Sequence, residues 1–307
     1  MPPPVPLLSR RHVLAAAGAA VSALSLPVRP RAEESGPISD GWRTLHARVG
    51  SVGAPGETAI AIRGFEAQAP GPLLRVRQGD ELRVHLLNEL AAPTAIHWHG
   101  VRVPNPADGA PGLGEAAPGG GLDYRFRPPD AGTFCYHAPW SMAAPESGTA
   151  EGLNGALIVE ERAPAQFDSD HVLIFDDWRT SPAPHLVANG LAAFDLPVRA
   201  NERLRLRLIN AAPARVMSLR LERHVATVIA LDGQPAEPFQ ARDSRVTLAP
   251  GNTADLCVDA TLAPGETAAI LLGDASDEIP LVRLGYGAGA ALRPAPLGPP
   301  RALPANP

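Results

Sequence analysis

The chain has 307 residues, enough for two domains of ordinary size, with 45% hydrophobic and 19% charged residues and a formal net charge of -5. That balance excludes an intrinsically disordered chain and offers no basic surface for a nucleic acid. The 35 prolines and 29 glycines suit many short strands joined by turns, and two cysteines, Cys135 and Cys257, are too few for a disulfide framework.

At the N-terminus, Ser9-Arg10-Arg11-His12-Val13-Leu14 precedes a small-residue apolar run from Ala15 to Leu26. A twin arginine ahead of a modest apolar stretch has the pattern of a Tat-type export signal, here residues 1–32, with cleavage after Ala23 or Ala32. The run is too short and too Ala-rich for a transmembrane helix. The expectation is a periplasmic or extracellular protein with no stable membrane span once the signal is removed.

Beyond the signal, strand-type alternation dominates. Leu82, Val84 and Leu86 share one face with Arg83 and His85 on the other, and Leu204, Leu206 and Leu208 repeat this with Arg205 and Arg207 opposite. The two segments read as copies: Gly79 to Asn88 parallels Asn201 to Asn210, with Asn88 and Asn210 separated by 122 positions. The same offset relates Pro128 to Pro250 and Cys135 to Cys257. A duplicated β-domain accounts for this, giving an all-β fold of two tandem β-sandwich domains, residues 38–163 and 164–287. Residues 288–307 are rich in Pro, Ala and Gly without alternation, and read as a linker, an ordered crossover or a truncated end.

The main chemical signal is Ile96-His97-Trp98-His99-Gly100. On a strand, residues i and i+2 point to one side, so His97 and His99 can approach a single metal cluster while Trp98 wedges into the core. His137, in Gly132-Thr133-Phe134-Cys135-Tyr136-His137-Ala138-Pro139, ends another expected strand and can join them. Imidazoles alone do not choose among copper, zinc and iron.

In its order of motifs the chain resembles the multicopper oxidase family, specifically domains 1 and 2 of the laccase-like bacterial three-domain type. The likeness covers most of residues 60–286. It includes Gly71-Pro72-Leu73-Leu74-Arg75-Val76, His97-Trp98-His99-Gly100, Asp108-Gly109, Pro129-Asp130-Ala131-Gly132-Thr133-Phe134, Asp176-Asp177-Trp178 and Val228 to Gly233. The resemblance implies tandem cupredoxin-like Greek-key β-sandwiches and a copper cofactor. It makes His97 a type 2 copper ligand, and His99 and His137 ligands of one type 3 copper. Asp108 would be the carboxylate behind the ligands that assists proton delivery in catalysis; without the resemblance it reads equally as an Asp-Gly turn former. The family's reaction oxidises phenolic, amine or metal-ion substrates and reduces dioxygen to water.

Two departures qualify this. The second His-x-His motif of the family becomes His137-Ala138-Pro139, with Cys135 in place of a Trp, so one type 3 ligand is missing. No further His-x-His or His-Cys-His segment follows, and the 122 offset puts Leu219 and Leu221 where His97 and His99 stand. A third cupredoxin domain is therefore expected elsewhere: the chain is a fragment, or a separate chain complements it, or it is an exported non-enzymatic scaffold or binding protein that has lost copper chemistry. Alone it is expected to show little or no turnover. A blue-copper loop through Cys135, His137 and Met142 has one intervening residue where two are usual, and a copper carrier would need Met- or His-rich tracts. Outside the signal (which holds His12), His46, His85, His171 and His185 read as surface or structural, and His224 as a packing or hydrogen-bonding residue.

Overall fold

The computed structural model describes residues 38–39, 41–53, 59–109, 112, 114–139, 149–163, 165–178, 185–273 and 276–307. The signal-type segment, Trp140 and Met142 lie outside the described residues.

The chain begins with β1 (Ile38–Ser39), β2 (Trp42–Val52), β3 (Ile60–Phe65), β4 (Leu74–Arg77) and β5 (Leu82–Asn88). It continues through β6 (His97–His99), β7 (Gly121–Phe126), β8 (Gly132–His137), β9 (Thr149–Gly152) and β10 (Asn154–Glu160). These ten make two sheets, one ordered β7-β5-β2-β3-β9 with β1 on β2, the other β4-β10-β8-β6. Then come β11 (Ser169–Trp178), β12 (His185–Ala188), β13 (Phe194–Val198), β14 (Arg203–Asn210), β15 (Met217–Leu221) and β16 (Thr227–Leu231). The last are β17 (Gln234–Gln240), β18 (Arg245–Leu248), β19 (Thr253–Asp259), β20 (Thr267–Leu272) and β21 (Ile279–Tyr286). They make sheets ordered β12-β11-β14-β19-β16-β17 and β13-β21-β20-β15-β18. Among the described residues no helix is long and apolar enough to cross a membrane.

The duplication is visible in detail. Asn88 donates Nδ2 to the carbonyls of Ala92 and Ala116 and accepts from the Leu90 N–H; Asn210 donates to Arg215 and Leu248 and accepts from Ala212. The copies do not stay in step, however. Leu82 pairs across the sheet with Phe126, and Leu204 with Val258, so the spacing has grown from 122 to 132 by that strand. The second copy carries an additional hairpin, β16–β17, in the interval. Cys135, opposite His99, thus matches Ile270, opposite Leu221, rather than Cys257, and the 122 spacing of the two cysteines is a coincidence. Both thiols are buried and free, and burial raises them, Cys135 to about 12 and Cys257 to about 11.

Alternation places β14 as the sequence expects, with Arg205 and Arg207 on the face opposite the leucines, and both faces are buried, Arg203, Arg205 and Arg207 included. This sheet is covered on both sides, by its own sandwich core and by the sheet containing β8 and β10. β8 explains the seam. Its Phe134 and Tyr136 enter the first sandwich's core, while Thr133, Cys135 and His137 project the other way. Cys135 packs with Ala156, Ile174, Ile209 and Ala211, and Thr133 reaches the buried Asp255, Arg205 and Arg207 cluster.

Residues 288–307 are docked along this body. Arg293 pairs with Asp168, Leu303 is buried beside Ile229 and Cys257, and Asn306 donates to the carbonyls of Ala131 and Gly233. Of the alternatives the composition leaves open, the described backbone takes the form of an ordered crossover, a strap across the seam.

Asp176, at the seam, is 5% exposed, accepts from Asn154 Nδ2 and the Asp177 N–H, and is pushed up to about 7 by burial, with the neighbouring Asp177 charge adding to the rise. A raised carboxyl keeps its proton in the folded state while the unfolded chain loses it near pH 4, so its contribution to stability is full below pH 4 and is lost as pH rises to 7. Asp176→Asn is therefore expected to stabilise the chain by a few kcal/mol, on the order of 3, at pH 8 and hardly at all at pH 4. Urea unfolding of both proteins at the two pH values checks this; an equal difference at both would refute it.

Candidate metal centre

β6 is three residues long and alternates in burial: Trp98 is fully buried, while His97 and His99 are half-buried on the other face. Trp98 meets Tyr124, Phe126 and Tyr136 at ring distances of 5.5, 5.0 and 5.9 Å, and the Ile96 N–H donates to the Tyr124 hydroxyl at 2.6 Å. The strand is thus pinned from behind. Antiparallel pairing sets His97 opposite His137. Candidate donor atoms of His97, His99 and His137 all lie within 4.8 Å of one another, a partial cluster with the donor set of an incomplete copper site.

The hydrogen bonds orient two of the rings. His97 Nδ1 lies 3.0 Å from Asp108 Oδ1 and 3.3 Å from its carbonyl oxygen, and His137 Nδ1 lies 2.8 Å from the Ala138 carbonyl. Each of these two Nδ1 atoms therefore carries the proton and leaves Nε2 with a lone pair. His137 Nε2 stands 3.3 Å from His99 Nδ1, so these two rings meet through one nitrogen of each at the cluster. Burial lowers His99 and takes His137 down to about 4, with the neighbouring imidazoles acting in the same direction, so both rings are neutral and ready to ligate at pH 7.

Asp108 closes a single 3-10 turn, Asn105–Ala107, and the following Gly109 has φ +62°; a methyl group there would stand 2.2 Å from the Ile96 carbonyl oxygen. The Asp-Gly turn and the carboxylate function are thus one feature: the glycine lets the turn press onto β6, and the turn delivers Asp108 to His97. The side chain is 34% exposed, a solvent-reaching acid rather than a deeply buried one.

Pro139 follows the cluster half-buried and offers no donor. Cys135 stands with the seam's apolar residues, and among the described residues no thiol joins the imidazoles. His46 and His85 pair with Glu89 and Asp123 at the surface, and His224 bonds the Tyr286 hydroxyl at 2.5 Å and the Glu222 carbonyl at 2.8 Å. Sequence reasoning missed the covering side of the site, where Gly251 of the second sandwich lies against His99. Its only sequence signal is Pro250-Gly251, which marks a turn and says nothing of where the turn packs.

Paired β-sandwiches, with three imidazoles gathered from β6 and β8, define a cupredoxin-like fold with a partial metal-ligand cluster. Profiles described as multicopper oxidase match residues 48–164 and 148–271. The multicopper oxidase MmcO of Mycobacterium tuberculosis is 27% identical over 270 residues, spanning 72% of this chain and 52% of that protein. Laccase-1 of Botryotinia fuckeliana is 30% identical over 229 residues, 66% of this chain and 40% of that protein. The crystal structure of a multi-copper oxidase from Pseudomonas thermotolerans superposes with a TM-score of 0.76 at 32% identity, covering 87% of this chain and 67% of that one. The chain belongs to the multicopper oxidase family, and it spans about half the length of the mycobacterial relative.

Proposed function

We propose that this chain is an exported copper-binding portion of a laccase-like oxidase, in which His97, His99 and His137 donate imidazole ligands to a shared copper site. The observation carrying this is the trio within 4.8 Å, with Nδ1 of His97 and of His137 turned to oxygen acceptors on the side away from the shared position. Bound copper supplies the family's one-electron chemistry, through which phenols, aromatic amines or metal ions are oxidised and dioxygen is reduced to water. The chain's own part is to hold the ligands. Asp108 orients His97 and, being open to solvent, can exchange a proton beside it. His97 takes the type 2 position and His99 and His137 the type 3 position, with a third cupredoxin domain or chain completing both.

Copper added to the purified 307-residue chain, followed by a phenolic dye under air, tests this reading. Copper retained by the histidines with dye oxidation near background is the expected result; robust turnover overturns the assignment of a partial site. A second reading, an exported scaffold without copper chemistry, is favoured by Pro139 at a ligand position; its outcome is a chain that retains no copper. Export itself rests on Arg10-Arg11 and the apolar run after them. Fusing residues 1–32 to a reporter active only outside the cytoplasm should give signal that Arg10→Lys with Arg11→Lys abolishes; an unchanged signal would rule out the twin-arginine route.

A further inference from the structure

All three imidazoles come from the first sandwich, yet one of them is held from the other side. Gly251 lies in the turn from Ala249 to Asn252 with φ +81°, and a methyl group built on it would stand 2.5 Å from His99 Cε1 and 2.6 Å from Nε2. The ring edge opposite the cluster therefore rests on bare backbone of the second sandwich, while Nδ1 is turned to His137.

The turn is itself clamped. The Gly251 N–H donates to the Asn210 carbonyl at 2.9 Å, and the Asn252 N–H to Ala249 at 3.0 Å. Asn252 also accepts from the Ala249 N–H and donates Nδ2 to Asp232 Oδ1, each at 3.0 Å. Asp232 Oδ1 takes the Thr253 N–H as well, at 3.0 Å. Asp232 and Gly233 form the two-residue loop of the β16–β17 hairpin, both with positive φ, the geometry that Asp-Gly favours. That loop touches the first sandwich too: a methyl on Gly233 would stand 2.3 Å from Phe134 Cε1, and one on Gly132 would stand 2.4 Å from the Gly233 carbonyl oxygen. Two linked turns thus press on β6 and β8 at the strands that carry the ligands.

We propose that the second sandwich is part of the metal site: the Gly251 turn, braced through Asn252 to Asp232, positions the His99 imidazole for copper. The proposal rests on the copper-site reading above. Gly251 and Asp232 are positioning residues and touch no substrate.

Cu(II) alone, titrated into the full chain against a chromogenic chelator, reads the affinity, and electron paramagnetic resonance reads the nitrogen ligands. Gly251→Ala and Asn252→Ala should each weaken Cu(II) by about tenfold or more, the scale on which residues that orient ligands act. They should also lose a nitrogen splitting, while the circular dichroism of the apo chain stays native. Asn252→Ala leaves the Gly251 backbone free of a clashing methyl, so it serves if Gly251→Ala fails to fold. Asp232→Asn, which keeps the acceptor for Thr253 and Asn252, should retain the parent affinity where Asp232→Ala does not. Unchanged affinity and spectrum in Asn252→Ala and Asp232→Ala, with His99→Ala still losing copper, would overturn the positioning role and leave the copper site standing. If His99→Ala itself binds as the parent does, the site reading fails and the positioning role with it.

Discussion

Asp255→Ala is expected to lower the free energy of unfolding by about 3–5 kcal/mol, the scale for breaking a buried charge pair from one side. Asp255 is 1% exposed and takes Arg205 Nε and Nη2 at 3.0 and 2.6 Å, Arg207 Nη1 at 3.3 Å and the Thr133 hydroxyl at 2.5 Å. Burial acts to lower the Arg205 guanidinium, but Asp255 and then Glu161 more than reverse this and leave it raised. Removing Asp255 strips two buried cations of a shared partner and leaves the Thr133 hydroxyl without its acceptor. Arg207 keeps Asp170 and Arg205 keeps Glu161, which holds the cost below that of an isolated charge. Asp255→Asn preserves an acceptor for Thr133 and should cost less. Urea unfolding at pH 7 measures both; a loss below about 1 kcal/mol for the alanine variant, the scale of a surface pair, would show that the cluster is not stabilising in this sense. Because Thr133 belongs to β8, the alanine variant should also open the seam to limited proteolysis.

The second large effect concerns copper. His99→Ala and His137→Ala each remove an imidazole whose ring nitrogen stands 3.3 Å from the other's, and Cu(II) affinity should fall more than the roughly 10–100-fold typical of residues that only orient ligands. Asp108→Ala should fall within that 10–100-fold range, because it frees the His97 ring without removing it. Asp108→Asn, still able to accept from Nδ1, should recover part of the loss. Chelator competition and metal analysis decide the order. Equal affinity for His137→Ala and the parent would remove His137 from the ligand set, and Asp108→Ala binding as tightly as the parent would remove Asp108 from its orienting role.

The strands and the shared face of His97 and His99 were legible from a period of two, the duplication from the repeated Asn88 and Asn210 segments, and His137 from its place at the end of another expected strand. Such a period records which residues share a face and not what covers that face. Hence the sequence puts Arg205 and Arg207 on one face of their strand without saying that the face lies under a second sheet. The 122 spacing is real at Asn88 and Asn210, where local hydrogen bonds repeat, and fails at Cys135 and Cys257, because an inserted hairpin shifts everything after β15. Residues 288–307 leave linker and ordered crossover undecided in the sequence for another reason: scattered contacts such as those of Leu292, Arg293, Gly298, Leu303 and Asn306 hold the strap, and no periodicity announces them. Gly251 is invisible at the level of sequence because its contribution is the lack of a side chain at a place only the tertiary fold defines.

The hairpin that puts the two copies out of step is also the piece that reaches back, through Gly233, to Phe134 of the first copy. The two copies now differ in what they bring to the cluster, the imidazoles from one and, against His99, the bare backbone of Gly251 from the other. A transplant of the donor module alone would carry every imidazole and still leave behind the surface against which one of them is set.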